Sequence, residues 1–149
     1  MISGVIFWVC FFIAALWIAW AFHLDASSKA FVDDNVPRIF SAWSEQQLLE
    51  LASPELKEAM SNERADQSWS NFSRLGILKE YKGAKGQSYQ NISFLTGRRH
   101  KSGYEVTAEY LAVADFQYGS ANITLHLTRE DGDWKIYSIF IDPHPAANN

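Results

Sequence analysis

Residues 1–24 contain no Asp, Glu, Lys or Arg, and the first such residue in the chain is Asp25. An uncharged helix over residues 2–22 is roughly 30 Å long at about 1.5 Å per residue, the thickness of a bilayer's hydrocarbon core. Cysteine is almost missing as well. The single one, Cys10, falls inside that apolar run. The rest of the chain therefore has no disulfide and no thiolate metal site, and Cys10 itself reads as a small apolar filler. Mid-span and with no cleavage signal before it, it is not placed as a lipoprotein cysteine. Basic residues are few, 13 Lys and Arg against 17 Asp and Glu, for a net charge of −4. Without a basic patch or stripe, binding to nucleic acid or to anionic lipid is disfavoured.

The apolar run invites two readings. Ala19-Trp20-Ala21 is small-x-small, a form signal peptidase accepts. However, no Lys or Arg precedes the run, and the run is longer than a usual signal core. Residues 1–24 are therefore expected to be an uncleaved anchor in contact with lipid through residues 2–22. Neither flank has a basic cluster, and the downstream flank, Asp25, Lys29, Asp33 and Asp34, is net acidic. Nothing holds that side in the cytoplasm, so the expected topology is single-pass in a bacterial inner membrane. The N-terminus is then cytoplasmic and the C-terminal domain periplasmic. Trp17 and Trp20 sit near the outer end, as interfacial anchors do, while Trp8 lies deeper. Gly4, Ala15 and Ala19 are small, and Ala15 and Ala19 form a small-xxx-small pair on which a second helix would pack. A lone anchor lying in lipid tolerates the same residues.

Beyond the anchor roughly 125 residues remain, enough for one domain with a core and too few for two. Residues 25–30 read as a polar hinge. Phe31, Val32, Val36, Ile39, Phe40 and Trp43 then recur at three and four, one face of a helix that Pro37 should kink or split. Ser44 and Gln47 have the spacing of a capping box before a short helix over 45–52. Ser53-Pro54-Glu55 starts another, running to about Met60. Trp69, Phe72, Leu75 and Leu78, spaced by three, mark an amphipathic helix over 66–80. Gly83 and Gly86 bracket a basic loop, after which the period changes to two. Strands are expected over 87–96, 103–116, 121–128 and 134–141. The last is apolar on both faces and so is expected to be central, with Pro143 and Pro145 stopping it and the tail over 143–149 frayed. The sequons at Asn71, Asn91 and Asn122 have weight only in a eukaryotic secretory pathway. Helices followed by a run of antiparallel strands make the fold class α+β.

The same order carries a resemblance. A Ser53-Pro54-Glu55 helix start is followed by a helix expected to end in Leu75-Gly76-Ile77-Leu78-Lys79-Glu80-Tyr81. Four strands then close with Gly132-Asp133-Trp134-Lys135-Ile136. Over about Ser27 to Asp142 this resembles the cystatin-like, nuclear transport factor 2-like superfamily, in particular small exported bacterial domains within it. The resemblance implies a cone in which helices cover a curved four-stranded meander over residues 31–142. The superfamily includes isomerases, dehydratases, binding modules and membrane-tethered secretion subunits, so fold does not deliver activity.

Enzymes of that superfamily place acid–base groups inside the cone. Here the candidates are Asp115, Glu109, Tyr104, Tyr110, His126 and Asp142. Alternation puts His126 opposite Ile123, Leu125 and Leu127, and Glu109 opposite Tyr104 and Tyr110, so both are expected to face outward. Asp115 reads as a turn residue, and the two tyrosines as core aromatics with a hydroxyl at the edge. Arg98-Arg99-His100-Lys101 reads as a solvated hairpin loop, or as a contact for an acidic partner or for headgroups. No metal spacing, phosphate loop or nucleophilic triad stands out. The expectation is therefore an interaction module without cofactor or metal. Its partner surface is expected to carry Thr107, Glu109, Asn122, Thr124 and His126, beside Glu105, Leu111 and Val113. Its expected partners are other membrane-protein subunits or a second copy of the chain. The competing expectation is a tethered small-ligand binder or enzyme using the cone interior. Bulky residues plugging that interior (Trp43, Trp69, Phe72 and Trp134) would speak against it.

Overall fold

The computed structural model describes residues 2–93 and 103–146, with side chains described over 8–90 and 105–146. It opens with one helix, α1 (Ile2–Ser41), followed by α2 (Glu45–Leu51), α3 (Pro54–Met60), α4 (Glu63–Phe72) and a 3-10 turn at Ser73–Leu75. Four antiparallel strands complete it: β1 (Leu78–Ser93), β2 (Gly103–Phe116), β3 (Gly119–Glu130) and β4 (Asp133–Pro145), in the order β1-β2-β3-β4. The fold is α+β with an open meander, and α1 is long and apolar enough to cross a membrane.

The expected hinge over 25–30 is not there. Helix α1 runs through it unbroken, because Leu24 and Ser28 are already fully buried in the domain. Upstream, residues 8–23 are exposed on every side. Downstream, Val32, Val36, Ile39 and Phe40 are buried in one stripe. Pro37 does not split the helix either. An interior proline costs about 3 kcal/mol, which burial of its three apolar neighbours offsets.

Helix α1 ends in a Schellman turn. Ser44 N–H donates to Ile39 O at 2.8 Å, and the left-handed position is filled by Trp43, with φ 49°, where glycine is usual. The indole holds it there: Nε1 donates to Gly76 O at 2.7 Å, and Trp69 Nε1 donates to Trp43 O at 3.0 Å. Ser44 and Ser53 cap α2 and α3 as expected, accepting from Gln47 N–H and Leu56 N–H. The capping box is only half formed, because Ser44 N–H is used by Ile39.

The helix expected over 66–80 starts earlier and stops at Phe72. Gly76, at φ 81°, ends the helical stretch, and a Cβ there would meet Gln117 Cβ at 2.8 Å. Leu78, expected on that helix, instead opens β1, which also absorbs the expected basic loop through a register shift between Tyr81 and Ala84. The far end of the strand expected over 87–96 lies beyond the described residues, as do the Arg98–Lys101 run and residues 147–149.

The last strand is corrected in two ways. It is an edge strand, not a central one, and it extends to Pro145. An edge tolerates proline because one side of its backbone needs no ladder partner. Its apolar residues on both parities arise from a bulge. Leu127 pairs with Ile136 and His126 with Ser138, leaving Tyr137 as the extra residue. Trp134 and Ile136 before it, and Ile139 and Ile141 after it, all turn inward.

Candidate interaction surface

The inner face of the sheet is closed by packing. Val106, Ala108, Tyr110, Ala112, Ala114 and Phe116 of β2 alternate inward, as do Ala121, Ile123, Leu125 and Leu127 of β3. At the far end from the apolar run, Phe40, Trp43, Trp69 and Phe116 form a ring cluster with centroids 5.0–6.2 Å apart. Phe72 packs partly buried against the core, and Trp134 is buried.

At the near end a polar seam fixes α1 to the sheet. Ser28 Oγ lies 2.8 Å from Tyr110 Oη and also donates to Leu24 O at 2.9 Å. Trp134 Nε1 donates to Ser27 Oγ at 3.0 Å. Asp25 accepts from Ser88 N–H at 2.7 Å and from the Ser88 hydroxyl. Asp33 accepts from Tyr81 Oη at 2.7 Å and Ala84 N–H at 3.2 Å, and it pairs with Lys29. Two turns of helix separate Asp25 from Asp33, about 12 Å. Four residues of strand separate Ala84 from Ser88, about 13 Å. The two carboxylates thus match the spacing of the edge N–H groups of β1 that they cap, and a free strand edge is covered by its own chain. At the other edge, Ser53 N–H donates to Ile136 O at 2.9 Å, and Ala52 bridges Ile136.

Burial pushes the Asp33 carboxyl up, but the hydrogen bonds from Lys29 and Tyr81 outweigh it and hold the group below its ordinary value. Burial, then the Asp33 carboxylate, pushes the Tyr81 phenol well above its usual range. Burial also raises Tyr110. Asp33 and Tyr81 are partly exposed and Tyr110 is buried, and their bonds hold α1 in register against the sheet. Among the described residues every buried side-chain N and O has a partner, and no group of His, Cys, Asp and Glu has metal-binding geometry.

Among the described residues nothing packs over the outer face of the sheet, where Glu109, Leu111, His126 and Phe140 are exposed. The expected surface residues converge on it in register. Glu109 stands opposite His126, Leu111 opposite Thr124, Val113 opposite Asn122, and Thr107 opposite Thr128. The expected acid–base candidates disperse. Tyr110 points inward. Glu109 and His126 are exposed. Asp115 pairs with Lys82 at 2.6 Å, which raises the lysine. Asp142 lies 3.4 Å from His144 Nε2, which is 3.3 Å from Asn122 Nδ2, all on the exposed face. The side chain of Tyr104 is outside the described residues. On α1, Ala15 and Ala19 are exposed, and Gly4 lies in its first turns.

Sequence reasoning missed the contribution of the edge strands. Phe140, 66% exposed, faces Thr124 from β4, and Leu111, 45% exposed, faces it from β2, so two exposed apolar side chains flank Thr124 across the sheet. Tyr137, 50% exposed, stands out at the bulge three residues earlier on β4. On β1, Lys85, Gly86, Gln87 and Tyr89 line a shallow groove of about 350 Å³ with Glu109 and Leu111. The parity change at Tyr137 hid Phe140, and reading 83–86 as a loop hid the groove. No family model matches the chain, and no match was found among curated proteins or solved structures.

Proposed function

We propose that this chain is a single-pass membrane-anchored interaction module, an accessory or structural subunit of a larger membrane assembly that docks through the outer face of its sheet. The observation carrying this is the contrast between the two faces: the inner one filled by rings and aliphatics, the outer one bare with Leu111, Tyr137 and Phe140 exposed. Exposed apolar side chains interspersed with Glu109, Thr124, His126 and Lys135 suit an interface of moderate size. Continuity of α1 from exposed apolar turns into the domain core supports a retained anchor, because cutting after Ala21 would sever the core helix three residues before Leu24. On this reading the helices and the four-stranded meander make a cone of the cystatin-like, nuclear transport factor 2-like kind, with the domain periplasmic and the anchor in a bacterial inner membrane; the α+β order of elements supports it.

The test is purification in mild detergent followed by mass spectrometry and mass determination of the complex. A stoichiometric companion, or a second copy, is expected with the parent chain. It should be lost in the Leu111→Glu, Phe140→Glu double variant while the melting temperature stays put. A parent chain that runs alone as a monomer removes the proposal.

A further inference from the structure

We propose that the outer face of the sheet is covered by a second copy of this chain. The two sheets stack face to face about a two-fold axis that runs along the strands, between β2 and β3. This rests on the anchored docking reading above and names the partner. Helix α1 selects the axis. From Ser28 to Phe40 is about 18 Å of helix, and from Tyr110 to Phe116 about 20 Å of strand. Both ends touch: Ser28 Oγ lies 2.8 Å from Tyr110 Oη, and the Phe40 and Phe116 rings are 6.2 Å apart. Helix α1 therefore runs beside β2 in the same sense, and it continues unbroken into the exposed apolar turns.

Two anchors in one membrane enter it from the same side, so the symmetry must leave both helices pointing the same way. Joining two β4 edges into one sheet needs a two-fold perpendicular to the sheet, which reverses the strands and one anchor with them. An axis along the strands keeps both anchors together in direction. Each α1 lies on the inner face of its own sheet. Both sheets, about 10 Å apart, thus stand between the helices, beyond the roughly 8–10 Å at which helices pack.

The same axis makes the outer face complementary to itself. Gln87, Glu109, His126 and Ser138 stand in register across the four strands. The rotation sets β2 against the partner's β3 and β1 against the partner's β4. The exposed Glu109 then meets the partner subunit's His126, and His126 meets the partner subunit's Glu109, so acids and imidazoles alternate around the axis. An axis across the strands at this level would set Glu109 against the partner's Glu109 and reverse the anchors. On the β1 side lies the groove of about 350 Å³ between Tyr89 and Leu111. Opposite it come the exposed rings of Tyr137 and Phe140 from the partner's β4. Rings protrude at one edge and a groove receives them at the other, and a two-fold uses each twice, as an isologous contact does.

The experiment coexpresses two differently tagged full chains, both carrying Cys10→Ser, one with Gln87→Cys and one with Ser138→Cys. The membranes are treated with a short bismaleimide. Melting of each variant is compared with the Cys10→Ser parent, and a pair in which either melts early is replaced by Tyr89→Cys with Lys135→Cys. A product carrying both tags is expected, and the untagged parent in mild detergent should weigh twice its 16.9 kDa. His126→Glu gathers four carboxylates around the axis and should weaken the dimer by roughly tenfold or more. Adding Glu109→Lys should restore it. A cross-linked product from Ser138→Cys alone brings two β4 edges together and overturns this inference. A complex of one copy with a different protein also overturns it and leaves the docking reading standing. A chain that runs alone as a monomer overturns both.

Discussion

Asp33 does three things with one carboxylate: it pairs with Lys29, accepts from Tyr81 and caps the N–H of Ala84. Its folded value lies below that of the unfolded chain, about 3.9. It therefore adds stability that is full above that value and is lost as pH falls through the lower folded one. Asp33→Asn should flatten the acid limb of a stability–pH curve below about pH 4, measured by thermal melting of the detergent-solubilised chain. Tyr81 works in the opposite sense. Its raised value protects the fold below about pH 10 and costs stability above it, so Tyr81→Phe should lessen the alkaline part of the dependence, leaving the share that Tyr110 contributes. Gly86 is a steric requirement: a Cβ there would sit 1.9 Å from Glu109 O across the ladder. Gly86→Ala should destabilise by about 1–3 kcal/mol, as overpacking does, read from the same melts.

The single helix α1 joins apolar turns to domain core, and the join is a polar seam on one side of it. Ser27, Ser28 and Asp25 read as hinge residues because they are small and polar. In the fold each one meets a partner from a distant strand, namely Trp134, Tyr110 and Ser88. No local pattern carries those pairings. Ala26→Pro should cost about 3 kcal/mol and loosen the tie between anchor and domain, seen as a fall in melting temperature and faster amide exchange at Ala84 and Ser88. The strands behave alike. Sequence alternation found β2 and β3 because both keep strict parity from end to end. It misread β1 and β4 because each carries a register shift, and one extra residue reverses every side chain beyond it.

At the scale of the whole chain, one face is sealed and one is open. The ring cluster of Phe40, Trp43, Trp69 and Phe116 is central to the seal. Phe40→Ala should cost about 3–5 kcal/mol and lower the melting temperature, where Phe140→Ala, on the open face, should leave it nearly unchanged. That contrast would separate residues that make the fold from those free to meet a partner.

The apolar stretch, the α+β class, the helix starts at Ser44 and Ser53 and the inward face of β3 were all legible in the sequence. Each is a local matter, a length of uncharged chain, a cap or an alternation. The unbroken α1, the edge position of β4, the inward turn of Ile139 and Ile141 and the placing of Leu111 and Phe140 on either side of Thr124 belong to tertiary structure. They depend on which strand lies beside which and on where the ladder slips, and residues far apart in sequence decide both.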